Sequence, residues 1–189
     1  MANTIQYPIE LLTKRLSIRS PSITDGPHLR EAIAESFEIL YQWMPWADHI
    51  PTLAEAEENC ARAAQDFKDG KDFRLHLFIR DSGVFIGGSG LHNAVWSVPK
   101  FEIGYWIRQP YSGLGYITEA VAEITRFAFE KLGAKRVEIR TSTRNTKSWC
   151  VPERLGFTLE GILRNDARHI DRSLRNTKVY SKIVEEESI

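Results

Sequence analysis

The chain has 189 residues, of which 42% are hydrophobic and 26% charged; this fits one folded domain with a continuous core and leaves little room for a second. Its 25 basic residues balance its 25 acidic ones, so no net charge draws it to nucleic acid or to an anionic membrane surface, and any attraction for anions has to be local. Cys60 and Cys150 are the two cysteines and show no metal-ligand spacing, and the N-terminal stretch lacks the basic and apolar regions of a signal peptide.

No uninterrupted apolar run approaches the ~20 residues of a spanning helix. The expectation is a soluble, cytoplasmic protein with reduced thiols and no direct contact with nucleic acid or membrane. His28, His49, His76, His92 and His169 show no paired spacing, so no metal is expected.

In chain order, Leu16-Ser17-Ile18-Arg19 alternates apolar and polar residues, as a half-buried strand does. Asp25 opens a helix that carries Leu29, Ile33 and Phe37 at four-residue spacing. Trp43-Met44-Pro45-Trp46 breaks that spacing and reads as a loop. Thr52, with Glu55 three residues on, forms a capping box for a second helix over 53–67. Residues 75–80 and 84–91 read as strands joined by the turn Asp81-Ser82-Gly83, and Lys100–Ile107 as a third strand.

From Gly113 the apolar residues Ile117, Ala120, Val121, Ile124 and Ala128 recur at threes and fours. This predicts an amphipathic helix to Leu132, ended by Gly133. A strand over 135–141 follows, then a short helix capped by Asn145 and closed by Gly156. Strands over 157–163 and 177–183, joined by a turn near 171–173, complete the order, and the acidic tail 184–189 is expected to fray. The sum is one mixed α/β domain, 1–189, built on a single sheet.

Segment 102–120 concentrates the chemistry. Gly113-Leu114-Gly115 stands where a strand hands over to a long helix, whose first N–H groups are unpaired and carry partial positive charge. Such a terminus binds phosphate, and two alternate glycines let the backbone approach it closely. Gly115-Tyr116-Ile117 lacks the Gly-Lys-Ser/Thr of a P-loop, and Thr118 stands where a dinucleotide fold needs its third glycine. Taken alone, a Gly-x-Gly is weak evidence, and an ordinary tight strand-to-helix turn accounts for it.

The surroundings are more specific. Phe101-Glu102-Ile103-Gly104-Tyr105-Trp106-Ile107, then Gly113-Leu114-Gly115-Tyr116-Ile117-Thr118-Glu119-Ala120, resembles the acetyl-CoA motif of the GNAT acetyltransferase superfamily. The likeness is to its branch of ribosomal-protein-serine and ribosomal-protein-alanine N-terminal acetyltransferases. A second block agrees: Asn145-Thr146-Lys147-Ser148, Glu153-Arg154-Leu155-Gly156-Phe157 and Leu159-Glu160-Gly161. With Thr13 to Arg19 and Asp25 at the start, the resemblance covers about 12–183.

This resemblance implies an α/β GNAT-like domain whose central mixed, mostly antiparallel sheet is flanked by helices and splayed where acetyl-CoA binds. It implies that backbone groups of Tyr105, Trp106 and Ile107 pair with pantetheine. N–H groups of Ser112, Gly113, Leu114, Gly115, Tyr116 and Ile117 would hold the pyrophosphate, and Asn145 and Ser148 would contact pantetheine. The amine would attack the thioester directly in a ternary complex, with a backbone N–H facing the oxyanion. Glu102 is the candidate base; the alternative is a structural carboxylate. Ser148 is the candidate to position or relay the proton for the departing thiolate.

Three departures stand out. Pro152 replaces the tyrosine that many relatives carry, Pro110 replaces a glutamine or arginine, and Asn176 stands where aspartate is common. Proline inside a helix removes one backbone bond, so a kink or break is expected, with the Ser148 carbonyl freed. Trp43 and Trp46 are either core residues or a wall of the acceptor groove. The arginines Arg164, Arg168, Arg172 and Arg175 read as a solvated face rather than an RNA contact.

The implied acceptor is a ribosomal protein N-terminus. A polyamine, an amino-acid derivative or an antibiotic is the alternative, and a non-catalytic acyl-CoA sensor is a third reading. Both monomer and homodimer remain open.

Overall fold

The computed structural model describes residues 9–184, so the expected fraying of 185–189 lies outside the described residues. Eight strands form one sheet: β1 Glu10–Leu12, β2 Leu16–Arg19, β3 Phe73–Ile79, β4 Phe85–Val95, β5 Lys100–Ile107, β6 Arg136–Ser142, β7 Thr158–Arg168 and β8 Leu174–Ile183. Their order is β1-β2-β3-β4-β5-β6-β8-β7, antiparallel throughout except for the parallel pair β5–β6. Five helices flank it: α1 Gly26–Glu35, α2 Phe37–Trp43, α3 Leu53–Lys68, α4 Tyr116–Leu132 and α5 Thr146–Arg154. The result is a single α/β domain.

Each face of the sheet has its own core. On one, α4 buries Ala120, Val121, Ile124 and Ala128 against Leu75, Leu77, Phe101 and Ile103. On the other, α1 and α3 bring Leu29, Ile33, Ala56 and Cys60 against Phe78 and Phe85. Burial pushes the Cys60 thiol up to about 12, which keeps it an inert core group. Arg108, just past β5, ties α1 to the sheet through Glu35 at 2.7 Å, Glu31 at 3.0 Å and the Phe85 carbonyl at 3.0 Å.

The pair β5–β6 joins only Lys100, Phe101 and Glu102 to Arg136, Val137 and Glu138. Beyond Glu102 the two strands part, although β5 runs on to Ile107 and β6 to Ser142. This splay leaves a stretch of β5 edge free on the β6 side, a ready template for another extended chain.

Several expectations need correction. The first helix is two: Ser36 leaves helical geometry at φ −113°, and α2 restarts there with Leu40 buried. Trp43 therefore ends a helix rather than lying in a loop, while Trp46 does follow it in irregular chain. β1 is a three-residue edge strand too short to show a period. β4 runs four residues past Leu91, with a register shift between His92 and Val95. The Thr52–Glu55 capping box and the Asn145 cap, which accepts the Ser148 N–H at 3.2 Å, both form.

Pro152 brings the largest correction. α5 runs unbroken through it, so the expected break does not occur. The Ser148 carbonyl does lose its helical donor, and the Tyr105 hydroxyl takes that place at 2.8 Å. A replacement donor from the sheet removes half of the reason for a break.

Candidate active site

Gly113 and Gly115 hold φ of 82° and 83°, a left-handed conformation that side chains with a Cβ rarely adopt. Gly115 is the N-cap of α4 and offers no side chain to its first turn. The N–H groups there remain open donors at the positive end of a 17-residue helix. Arg15 braces this turn: its guanidinium donates to the Leu114 carbonyl at 3.0 Å and to Glu119 at 2.6 Å, and lies over the Tyr116 ring. Burial would raise the Glu119 carboxyl, but hydrogen bonds from Thr13, the Arg15 backbone and the Arg15 guanidinium hold it below its usual value.

The turn opens into a cavity of about 1170 Å³ between the splayed β5, α4 and α5. All eleven residues expected to contact the coenzyme line it: Tyr105, Trp106 and Ile107 from β5; Ser112, Gly113, Leu114 and Gly115 from the turn; Tyr116 and Ile117 from the start of α4; Ser148 from α5 and Asn145 from its cap. Trp43 lines it too, and Lys147 and Arg154 add basic side chains. Tyr105 crosses the splay to α5, accepting from the Ser148 hydroxyl at 3.3 Å while donating to the Ser148 carbonyl. Burial pushes its phenol up to about 12 despite that hydrogen bond, so it stays a protonated donor.

A second cavity, of about 720 Å³, lies on the opposite face of the sheet under α3 and the chain that precedes it. Its floor is the β4–β5 pair, where Gly88 faces Trp106 and Gly90 faces Gly104. Trp46 forms one wall, its ring edge-on to Trp106 at 5.8 Å. The two cavities share Met44, Tyr105 and Trp106, so they meet across the sheet at the mouth of the splay.

Glu102 sits at the last β5–β6 pair, before the strands part, and lines neither cavity. Its carboxylate accepts from the Asn93 side chain at 3.0 Å. Within the second cavity the structure instead presents a pair that sequence spacing does not reveal. His92 Nδ1 is 2.5 Å from Asp72 Oδ1, the two residues being twenty positions apart. Among the described residues no group of three or more His, Cys, Asp or Glu side chains is placed to hold a metal ion. No helix among them is long and apolar enough to cross a membrane.

A splayed sheet with an uncapped glycine turn at its mouth defines an acyltransferase fold, and the family model agrees. Residues 15–158 match the GNAT acetyltransferase domain, and this chain belongs to that family as an N-acetyltransferase. Over 178 residues it is 30% identical to a Bacillus subtilis protein named "Putative ribosomal N-acetyltransferase YdaF", covering 93% of this chain and 94% of the relative. It is 27% identical to the [ribosomal protein uS5]-alanine N-acetyltransferase of Escherichia coli, over 83% of this chain and 82% of that one. RimL, a ribosomal L7/L12 alpha-N-protein acetyltransferase solved in complex with coenzyme A, superposes with a TM-score of 0.86. It is 17% identical, over 93% of this chain and 97% of RimL, a likeness of fold alone.

Proposed function

We propose that this protein transfers the acetyl group of acetyl-CoA to the N-terminal amine of a protein, with a ribosomal protein as the acceptor class. The observation that carries the reading is the meeting of two cavities at Tyr105–Trp106, one on each face of the sheet. In this reading the larger cavity takes the coenzyme: pyrophosphate at the uncapped α4 terminus, pantetheine along the free edge of β5, and Asn145 and Ser148 beside it. The smaller cavity takes the acceptor, whose backbone can lie close on a floor of glycines. Ser148 then stands beside the pantetheine arm as a relay for the proton that the departing sulfur takes up.

Support for a protein acceptor comes from the names of two relatives, a [ribosomal protein uS5]-alanine N-acetyltransferase and a ribosomal-protein-serine acetyltransferase. The test is acetyl-CoA turnover, read as free thiol released, against Ala- and Ser-initiated peptides, spermidine and an aminoglycoside. Peptide turnover above the others is expected. Turnover of spermidine or the aminoglycoside alone would move the acceptor to a small amine. Tight acetyl-CoA binding without any turnover would leave a sensor.

A further inference from the structure

An ammonium group must lose a proton before it can attack a thioester, and an α-amine with pKa near ~8 is largely protonated at neutral pH. The base has to reach the acceptor where the coenzyme's thioester ends. If the pyrophosphate lies at Gly113–Gly115 and pantetheine runs back along β5, the thioester falls near Gly104, just inside the splay. Glu102 and His92 are cross-strand partners two residues back from Gly104, so the direction of the side chain separates them: the Glu102 carboxylate is turned to Asn93, whereas the His92 ring reaches Gly104.

We infer that His92, held by Asp72, is the general base that deprotonates the acceptor amine; the assignment rests on the acetyltransferase reading above. Four observations place it. His92 lines the cavity proposed for the acceptor, and so does Asp72. Its ring lies over the glycine pair: a Cβ added at Gly104 would meet His92 Nε2 at 3.3 Å, and one at Gly90 would meet Cε1 at 3.0 Å. A side chain at Gly104 would displace the imidazole, and one at Gly90 would also strike the Phe73 carbonyl of β3 at 2.7 Å.

The strand irregularity next to it, with Asn93 at φ 52° and a register shift to Val95, turns the chain at this point. Bulges of this kind re-aim side chains beside active sites. Finally, Asp72 Oδ1 accepts from Nδ1 at 2.5 Å, which fixes the proton on that nitrogen and leaves the Nε2 lone pair, near Gly104, to receive another. Arg74 Nε lies 3.2 Å from the second Asp72 oxygen, an ion pair without hydrogen-bond alignment.

The charged and titratable groups around the imidazole come from every wall of the cavity. Asp72, Arg74 and His76 stand before and on β3, Glu55, Glu58 and Arg62 on α3, and His49 on the chain before α3. Glu102 stands opposite on β5. Arg74 is already committed to Asp66 and Asp72, and His76 to Asp25.

In the step, Nε2 takes one proton from the ammonium group. The freed nitrogen lone pair forms the N–C bond as the carbonyl π pair moves to oxygen. Collapse breaks the C–S bond with its electrons on sulfur, and the second proton lost by the attacking nitrogen ends on that thiolate. Asp72 touches no reacting atom and is a positioning residue.

The experiment compares His92→Gln, Asp72→Asn and Glu102→Gln with the wild type, using an Ala-initiated peptide and acetyl-CoA across pH 6–9. Acetyl-CoA affinity and thermal midpoint are measured in parallel. In His92→Gln, kcat/KM for the peptide is expected to fall by about 10²–10⁴, the range of a general base, with acetyl-CoA affinity unchanged. Its remaining rate should follow the titration of the peptide amine alone. Asp72→Asn should lower the rate and displace the acidic limb of the profile. Glu102→Gln should stay within about threefold of wild type, far below a base's contribution.

Should His92→Gln fail to fold, the Asp72→Asn profile and the Glu102→Gln rate decide the matter alone. A large loss in Glu102→Gln beside an undisplaced Asp72→Asn profile would overturn the assignment, as would an unchanged His92→Gln. A wild type that turns over no amine would overturn the functional reading itself, and this one with it.

Discussion

The Tyr105 hydroxyl donates to the Ser148 carbonyl at 2.8 Å, the carbonyl whose helical partner Pro152 removes. One hydrogen bond thus does two jobs: it lets α5 continue through a proline, and it pins α5 to β5 across the coenzyme cavity. Tyr105→Phe should cost about 1 kcal/mol, the net worth of a hydrogen bond to a half-buried acceptor. Pro152→Ala returns an N–H to the helix, so in that background the same change should cost less. Urea unfolding of the four proteins gives the coupling, expected at about 0.5 kcal/mol or more for residues sharing one partner. Additive costs would show that Tyr105 does not stand in for the missing donor.

The glycine turn makes a second prediction. Alanine at Gly113 or Gly115 would have to hold φ near 82–83°, at about 1–2 kcal/mol of strain. The turn should relax towards negative φ and carry its N–H groups away from the coenzyme. Calorimetry should then show acetyl-CoA bound about 5–30-fold more weakly, the equivalent of that strain. Gly133 at the other end of α4 has φ 68° with nothing near its missing Cβ. Gly133→Ala should lower the melting temperature and leave acetyl-CoA affinity as it was; equal binding losses in all three variants would make the effect one of general stability.

Arg15 offers a third. It holds both the Leu114 carbonyl and Glu119, yet lines neither cavity. Arg15→Met keeps much of the stem and removes the charge. KM for acetyl-CoA should rise several-fold while kcat holds, since a loosened turn weakens binding without touching the acceptor side. A fall in kcat at constant KM would contradict this role.

Much of this arrangement is legible in the sequence, for identifiable reasons. Gly113-Leu114-Gly115, Asn145 and the Thr52–Glu55 box are local devices: neighbouring residues carry their chemistry whatever the rest of the chain does. α4 is legible because its apolar spacing is long and regular. The break at Ser36 is not, because Leu29, Ile33 and Phe37 keep helical spacing across it. Pro152 misleads because its compensating donor, Tyr105, lies 43 positions away from the carbonyl it satisfies. The pair His92–Asp72 is hidden for the same reason: it forms only when β3 and β4 pair, placing Phe73 opposite Leu91.

The last prediction concerns pH and stability. Asp25 is buried at the start of α1, where it accepts from Arg19 through both oxygens and from His76 Nδ1 at 2.8 Å. Burial alone would raise its carboxyl, but the hydrogen bonds from His76 and Arg19 hold it well below the usual carboxylate range. Burial lowers the His76 imidazole, outweighing its bond to Asp25. Arg19 therefore supplies the positive charge, and His76 is a neutral donor. Both folded-state values lie below the unfolded ones, so each group's contribution is complete above its unfolded value and is lost as pH falls. His76 begins to lose it near ~6.5 and Asp25 near ~3.9. The free energy of urea unfolding should accordingly be level at pH 8, decline from about pH 7 to 5, and drop again below about 4. His49, exposed and raised mainly by its hydrogen bond to Asp48, acts in the opposite sense and is the natural control. His76→Gln should be less stable at pH 8 but lose the decline between pH 7 and 5, while His49→Gln should keep it. A His76→Gln protein that retains the full wild-type slope would place the neutral-range titration elsewhere in the molecule.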